Sequence, residues 1–194
     1  VTFTFHSSRA PMKTVSQEEL TAMNGHMQRC ASELAHARMD VIASACLVAI
    51  MCQGRGFHRE TEASLRDVCM REGTATPIIS SAGALISALK ATGAQRISFI
   101  APYMKNLTRL VADYIEAEGI EAVDTVSLEI PDNVDAVVLS ACVQMPSLGA
   151  LERVQKSFDV PVLSSAAATV FEILRALKLP THVPRAGDLL SGRY

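Results

Sequence analysis

Short apolar runs rich in valine and isoleucine alternate along this chain with stretches of helical periodicity, and this alternation is what most constrains its fold. The runs RISFIAP and AVDTVSLEI, for example, flank the amphipathic stretch NLTRLVADYIEAEG, which ends at a glycine. Strands that alternate with helices are typical of α/β proteins with parallel sheets. We therefore expect an α/β fold in which helices connect parallel strands.

Two parts of the sequence repeat each other. DVIASACLVAI (residues 40–50) and DAVVLSACVQM (residues 135–145) both place Ser-Ala-Cys after a short apolar run. PIISSA (residues 77–82) follows the first and PVLSSA (residues 161–166) follows the second, in the same order. This order predicts a duplicated unit and two similar α/β lobes that face each other across a cleft.

The two repeats each place a cysteine, Cys46 or Cys142, where a strand ends and a helix is expected to begin. Ligands of open parallel sheets bind beyond the carboxyl ends of the strands, so the two thiols should approach the cleft from opposite sides. A helix N-terminus lowers a thiol pKa because unpaired N–H groups favour negative charge. One thiol could act as nucleophile or base and the other as acid on a small substrate. Either cysteine taken singly is better explained by packing, but the paired placement of the two in a repeat favours a catalytic role for both.

The residues after both cysteines are largely apolar, as in Leu47-Val48-Ala49 and Val143-Gln144-Met145. Such walls offer an anion backbone N–H groups rather than charged side chains. A small carboxylate suits this site, whereas an ammonium group suits it poorly.

Composition excludes several classes of function. The formal net charge is −2 and no basic stripe indicates nucleic-acid binding. The longest apolar run, residues 41–52, is too short to span a bilayer, and VTFTFHSSRAPMK lacks the features of a secretory signal, so we expect a cytoplasmic protein. The five cysteines have no metal-ligand spacing, and Cys30 and Cys69 are expected to serve packing. Gly54 and Gly56 do not form a dinucleotide fingerprint, so neither metal nor nucleotide cofactor is expected.

One junction conflicts with an all-parallel plan. Only PDNV separates a strand predicted to end near Ile130 from one predicted to begin near Asp135. A parallel crossover needs about a dozen residues, so either the strands form a hairpin or residues are absent here. The opening at Val1 similarly predicts a first lobe without its initial strand–loop–helix unit.

Near the start of the chain, Ser16-x-x-Glu19 resembles a capping box and predicts one helix through about Ala37.

These motifs resemble the aspartate/glutamate racemase superfamily and, within it, closely resemble bacterial maleate cis–trans isomerases. The similarity covers almost the whole chain and rests on ACLVAIM with the later HR, SAGAL, APYMKNLTRLV, LEIPDN, VVLSACVQMPSL and LLSGRY. It implies two flavodoxin-like lobes with parallel sheets related by pseudo-twofold symmetry, and an active site between them. We expect residues 1–80 with 164–194 in the first lobe and residues 81–163 in the second.

The resemblance also implies an activity, the cofactor-independent conversion of maleate into fumarate. The positions that carry over are the nucleophile Cys46, the second active-site cysteine Cys142, the carboxylate-binding Tyr103 and Asn133, and the pocket-lining Val48 and Val143. Thiolate addition, rotation about the resulting single bond and elimination would give fumarate. Cys142 could protonate the intermediate or only shape the site. A homodimer or larger assembly is implied, with pyridine breakdown, such as nicotinate degradation, or aromatic-ring breakdown as the substrate source.

The family pattern differs from this chain in two places. It has an N-terminal strand and an Asn-bearing loop before the position of Val1, and a helical segment between PDN and DAVVLSAC, and both stretches are missing here. Without the family, Tyr103 would be a half-buried tyrosine at a strand end and Asn133 a turn residue. His58 would lie at the surface or cap a helix, and His6 and Arg9 would be structural.

Other functions remain open at this point. An amino-acid or hydantoin racemase of the same superfamily would also use paired cysteines, but usually follows the cysteine with polar residues, whereas Leu47 and Val143 stand here. An arylmalonate decarboxylase works with one cysteine of the pair and fits less well. A catalytically silent binding module is the alternative from a different class.

Overall fold

The computed structural model describes residues 2–128 and 148–194. The strands in these ranges form two sheets of two parallel strands each: β1 (Ile42–Ser44) with β2 (Ile78–Ser80), and β3 (Arg96–Ala101) with β4 (Glu121–Ser127). Ser44 lies opposite Ser80 at the carboxyl end of the first sheet. The predicted α/β fold with parallel strands is confirmed.

Helices connect and cover these strands. Within the described ranges they are α1 (Gln17–Gly25), α2 (Met27–His36), α3 (Leu47–Met51), α4 (Phe57–Arg71), α5 (Ser81–Ala91), α6 (Lys105–Glu116), α7 (Leu148–Gln155) and α8 (Ser165–Ala176). None of the helices in these two stretches of chain is both long and apolar enough to cross a membrane. The predicted strand beginning at Asp135 and its short junction lie outside the described residues.

The prediction of one helix from Ser16 to Ala37 is wrong at its middle. Ser16 does cap α1, since its hydroxyl oxygen accepts a hydrogen bond from the backbone N–H of Glu19 at 3.3 Å. The helix then ends at Gly25, and α2 begins after His26. Glycine is among the poorest helix formers, because a helix restricts its flexible backbone more than that of any other residue.

The repeated PIISSA and PVLSSA segments have the same local structure at their helix ends. Ser80 caps α5 by accepting a hydrogen bond from the N–H of Gly83 at 3.0 Å, and Ser164 caps α8 by accepting one from Ala167 at 3.1 Å. The two helices pack against each other, and Ser87 of α5 donates a hydrogen bond to Glu172 of α8 at 2.8 Å. This likeness agrees with two lobes related by pseudo-symmetry; the exact lobe boundaries stay a prediction.

Two apolar clusters hold the elements together. The larger one contains α3, much of α5 and α6, and residues of α8 such as the fully buried Phe171. The smaller one joins α2 and α4 to the first sheet and contains Cys69, which is fully buried. The predicted packing role of Cys69 is therefore confirmed.

Candidate active site

Cys46 lies at the carboxyl end of β1. The strand ends at Ser44, and Cys46 is the extended N-cap residue of α3, with φ −112° and ψ 101°. Its side chain is half-buried and packs against the larger core cluster. All five residues of α3 are buried, so apolar packing fixes the helix that follows the thiol. A thiol that is held in place yet partly accessible meets the geometric requirement for a nucleophile.

The other described cysteines differ from Cys46 in environment. Cys52 is buried, and its thiol donates a hydrogen bond to the carbonyl of Ala49 at 3.5 Å. Burial raises the pKa of the Cys52 thiol and also that of Cys69. Raised pKa values keep both thiols protonated and unreactive near neutral pH. Cys30 is half-buried on α2, and Cys142 lies outside the described residues.

Tyr103 occupies the corresponding end of the second sheet. It lies between the last residue of β3, Ala101, and the first residue of α6, Lys105. Its ring is half-buried against the same apolar cluster that Cys46 contacts. The buried hydroxyl of Thr108 lies 3.4 Å from the backbone carbonyl of Tyr103, at the start of α6. Cys46 and Tyr103 thus both lie at carboxyl ends of parallel strands, where α/β proteins bind ligands.

Of the remaining predicted site residues, only Val48 lies in the described part of the chain, and it is buried. Val48 is only 2% exposed, and its carbonyl accepts the backbone N–H of Cys52 at 2.9 Å within α3. Its side chain belongs to the apolar core, so a pocket-lining role stays a prediction. Asn133 and Val143 lie, like Cys142, outside the described residues.

His58 is buried, so the surface position expected from sequence is wrong, and the alternative of a helix cap is wrong too, because Gly56 is the N-cap residue of α4. Its backbone N–H donates a hydrogen bond to the hydroxyl of Tyr114 at 3.0 Å, and its Nδ1 also contacts that hydroxyl. Burial lowers the pKa of His58, so the ring is held neutral near pH 7. The helical spacing of His58, Thr61 and Leu65, all buried on one face of α4, is the signal that could have revealed this.

Beside His58, Glu62 accepts hydrogen bonds from the backbone N–H of Ser80 at 3.0 Å and from its hydroxyl at 2.6 Å. This contact between α4 and the end of β2 has no local sequence signal, because its two residues are 18 positions apart. Sequence reasoning missed it.

Two cavities are lined by described residues, and Cys46 is not among the lining residues of either. One, of about 350 Å³, lies at the amino ends of β1 and β2, against residues 38–40 and 73–77. The other, of about 300 Å³, lies between α4, α5 and α8 and is lined partly by His58, Glu62 and Glu172. In the described part of the chain no cluster of His, Cys, Asp or Glu side chains could hold a metal ion.

Comparison with known proteins places this site in a family. The arylmalonate decarboxylase family model matches residues 2–140. The maleate isomerase of Geobacillus stearothermophilus is 53% identical to the chain, with all of the chain and 86% of the relative covered. The chain belongs to the maleate isomerase family. The alignment with the Geobacillus protein runs over 215 positions, whereas this chain has 194 residues. The Geobacillus protein therefore has residues without a counterpart in this chain.

Two solved maleate isomerases share the whole fold. A variant of the Pseudomonas putida S16 enzyme crystallised with maleate is 50% identical, with a TM-score of 0.92 over 100% of this chain and 86% of that one. The Nocardia farcinica enzyme, in a cysteine-to-serine variant with a covalently bound succinylcysteine intermediate, is 42% identical, with a TM-score of 0.91 over 99% of this chain and 87% of that one. The α/β fold of this chain is therefore the fold of these maleate isomerases.

Proposed function

We propose that this protein is a maleate isomerase that converts maleate into fumarate through a covalent adduct on Cys46. The observation that carries the proposal is the position of Cys46: a half-buried thiol at the carboxyl end of β1, in a chain 53% identical to a maleate isomerase. The succinylcysteine in the Nocardia relative is the product expected when a cysteine thiol adds across the double bond of maleate.

The chemistry needs one nucleophile and stabilisation of one carbanion. The Cys46 thiolate forms a carbon–sulfur bond to one olefinic carbon, and the π electrons move to the other carbon and into its carboxylate. The remaining single bond rotates, the electron pair re-forms the double bond in the trans geometry, and the thiolate leaves. No net proton, electron or cofactor is consumed. Hydrogen-bond donors aimed at the developing negative charge each contribute about 3 kcal/mol in comparable sites.

Several residues of this chain are suited to those supporting roles. The backbone N–H groups that follow Cys46 and the half-buried Tyr103 lie at strand ends where a substrate carboxylate could bind. We assign carboxylate binding to Tyr103 and Asn133, contacts with the carbon skeleton to Val48 and Val143, and protonation or shaping of the site to Cys142. These roles rest on the sequence resemblance.

The decisive experiment follows the vinyl protons of maleate and fumarate by NMR in the presence of reduced protein. We expect maleate to be converted without added metal or cofactor, and Cys46→Ala to remove the activity. Cys52→Ala, which alters the buried thiol at the other end of α3, is the matched control and should retain the activity. A reduced, folded protein that produces no fumarate would refute the proposal.

Three further properties belong to the same proposal. We propose a cytoplasmic enzyme, a homodimer or larger assembly, and a role in nicotinate or other aromatic-ring breakdown. Light scattering coupled to size-exclusion chromatography tests the assembly, and a single molar mass near 20.8 kDa would contradict it.

A further inference from the structure

Glu62 fixes the carboxyl end of β2 from a neighbouring helix. Its Oε1 accepts two hydrogen bonds from Ser80, one from the backbone N–H at 3.0 Å and one from the hydroxyl at 2.6 Å. Ser80 is fully buried, so water cannot replace these contacts. The Ser80 hydroxyl oxygen in turn accepts the N–H of Gly83 at the start of α5. Ser80 is both the last residue of β2 and the N-cap of α5, and one carboxylate oxygen of Glu62 holds it.

The absence of a side chain at Gly83 makes room for this arrangement. A Cβ atom at this position would lie 2.4 Å from Oε1 of Glu62 and 3.1 Å from Cδ2 of His58. Gly83 does not have a positive φ, so backbone conformation does not require glycine here. Its lack of a side chain instead allows the Glu62 carboxylate to approach the N-terminus of α5, where a negative charge is favourable.

The strand that Glu62 contacts, β2, is paired directly with β1, the strand that leads into Cys46. Ser80 lies opposite Ser44 in the parallel register of β1 and β2, and Cys46 follows Ser44 by two residues. Since both strands have only three residues, each contact at their carboxyl ends is a large part of what fixes them. The Ser44–Ser80 pair therefore connects the Glu62 contacts to the segment that leads into Cys46.

We propose that Glu62 is a positioning residue for Cys46, acting through Ser80 and the end of the first sheet rather than through contact with substrate. The inference rests on the proposed function in assigning the nucleophile. Displacement of a reacting group by about 1 Å can cost roughly 100-fold in rate, so loss of the Glu62 contacts should affect turnover more than substrate binding.

The experiment compares Glu62→Ala with Glu62→Gln. The amide oxygen of glutamine can still accept both hydrogen bonds from Ser80, whereas alanine can accept neither. We expect Glu62→Ala to lower kcat by about tenfold or more with a smaller change in KM, and Glu62→Gln to restore most of the loss. Glu60→Ala, on the exposed face of the same helix, is the control and should match the parent enzyme.

A second readout measures the nucleophile without turnover. The rate of iodoacetamide alkylation of the Cys46 peptide, followed by mass spectrometry well below the melting temperature, should change in Glu62→Ala and return towards the parent value in Glu62→Gln. If Glu62→Ala only lowers the melting temperature and leaves both kcat and the alkylation rate unchanged, Glu62 is a structural residue and the proposal is wrong.

Gly83→Ala keeps the proposal testable if Glu62→Ala does not fold. The added methyl group should displace the Glu62 carboxylate and reproduce the loss of kcat. Where Glu62→Ala does fold, the losses of kcat in the double variant Glu62→Ala/Gly83→Ala should not simply multiply, because both changes act on one contact. A fully multiplicative loss would contradict the shared contact. If iodoacetamide alkylates Cys46 at the predicted rates in these variants but the parent protein forms no fumarate, the proposed function is refuted and the positioning role of Glu62 is retained.

Discussion

The two ends of α3 carry one cysteine each, and their environments differ in ways that decide their chemistry. Cys46, before the helix, is half-buried in an extended conformation at the end of a strand. Cys52, after the helix, is 8% exposed, and its thiol donates to the carbonyl of Ala49. Although the two thiols are six residues apart, Cys46 is a candidate nucleophile and Cys52 is a packing residue.

The difference shows that position relative to secondary structure determines whether a thiol is available. The strand–helix junction leaves the Cys46 side chain partly accessible at the carboxyl edge of the sheet, where ligands bind. The C-terminal end of α3 turns Cys52 into the apolar core, and burial raises its pKa. The predictions below test this contrast, beginning with the largest expected effect.

The strongest test of the contrast is activity after removal of each thiol. Cys46→Ala should lower kcat for maleate isomerisation by at least about 1,000-fold, because it removes the thiol proposed to form the covalent adduct. Cys52→Ala should keep kcat within roughly threefold of the parent enzyme, since the thiol it removes only packs. Steady-state kinetics by NMR or ultraviolet absorbance gives both values. Equal losses in the two variants would remove the distinction between the two ends of the helix.

Thiol reactivity sharpens the same contrast without requiring turnover. We expect iodoacetamide to label Cys46 at least about 100-fold faster than Cys52 near pH 7.5, because Cys52 is buried and its raised pKa keeps it protonated. Quantitative mass spectrometry of the two peptides measures the ratio. Saturating maleate should protect Cys46 while leaving the slow labelling of Cys52 unchanged. Cysteines that react at similar rates would contradict the assignment.

Local patterns in the sequence predicted the parts of this site that depend on local structure. The strand–helix junction at Cys46 follows from an apolar run that ends in small residues, and the cap at Ser16 follows from its capping box. The alternation of apolar runs with helical stretches predicted the parallel strands. These features are encoded by neighbouring residues, so a single sequence is sufficient to find them.

The parts that sequence could not predict depend on distant residues. Glu62 and Ser80 meet only after α4 packs on β2, and Tyr114 meets His58 across 56 positions of the chain. The break between α1 and α2 at His26 was missed because a capping box and helical periodicity outweighed one glycine. Tertiary packing determines these long-range contacts and this helix break, and the helix propensities of single residues do not predict them.

Packing inside α3 provides the third test, because the helix between the two cysteines is wholly buried. Ile50 is fully buried, so Ile50→Val should lower the free energy of unfolding by about 0.5–1.5 kcal/mol. The activity should change little, since the substitution removes one methyl group from the core and leaves Cys46 in place. Urea denaturation monitored by circular dichroism measures the stability. A large loss of kcat with unchanged stability would show that the core side of α3 takes part directly in the site.

The smallest expected effect concerns the alkaline limit of stability. Because burial raises the pKa of Cys52 in the folded protein, its thiol contributes stability fully below the unfolded-state pKa, about 8.5, and loses it as pH rises through the folded-state pKa. The difference in unfolding free energy between the parent protein and Cys52→Ala should therefore shrink between about pH 7 and pH 10. Urea titrations under reducing conditions at several pH values measure that difference. Ile50→Val changes no titratable group, so its difference in unfolding free energy from the parent protein should stay constant over the same pH range. A constant difference for Cys52→Ala as well would show that burial does not raise the pKa of the Cys52 thiol.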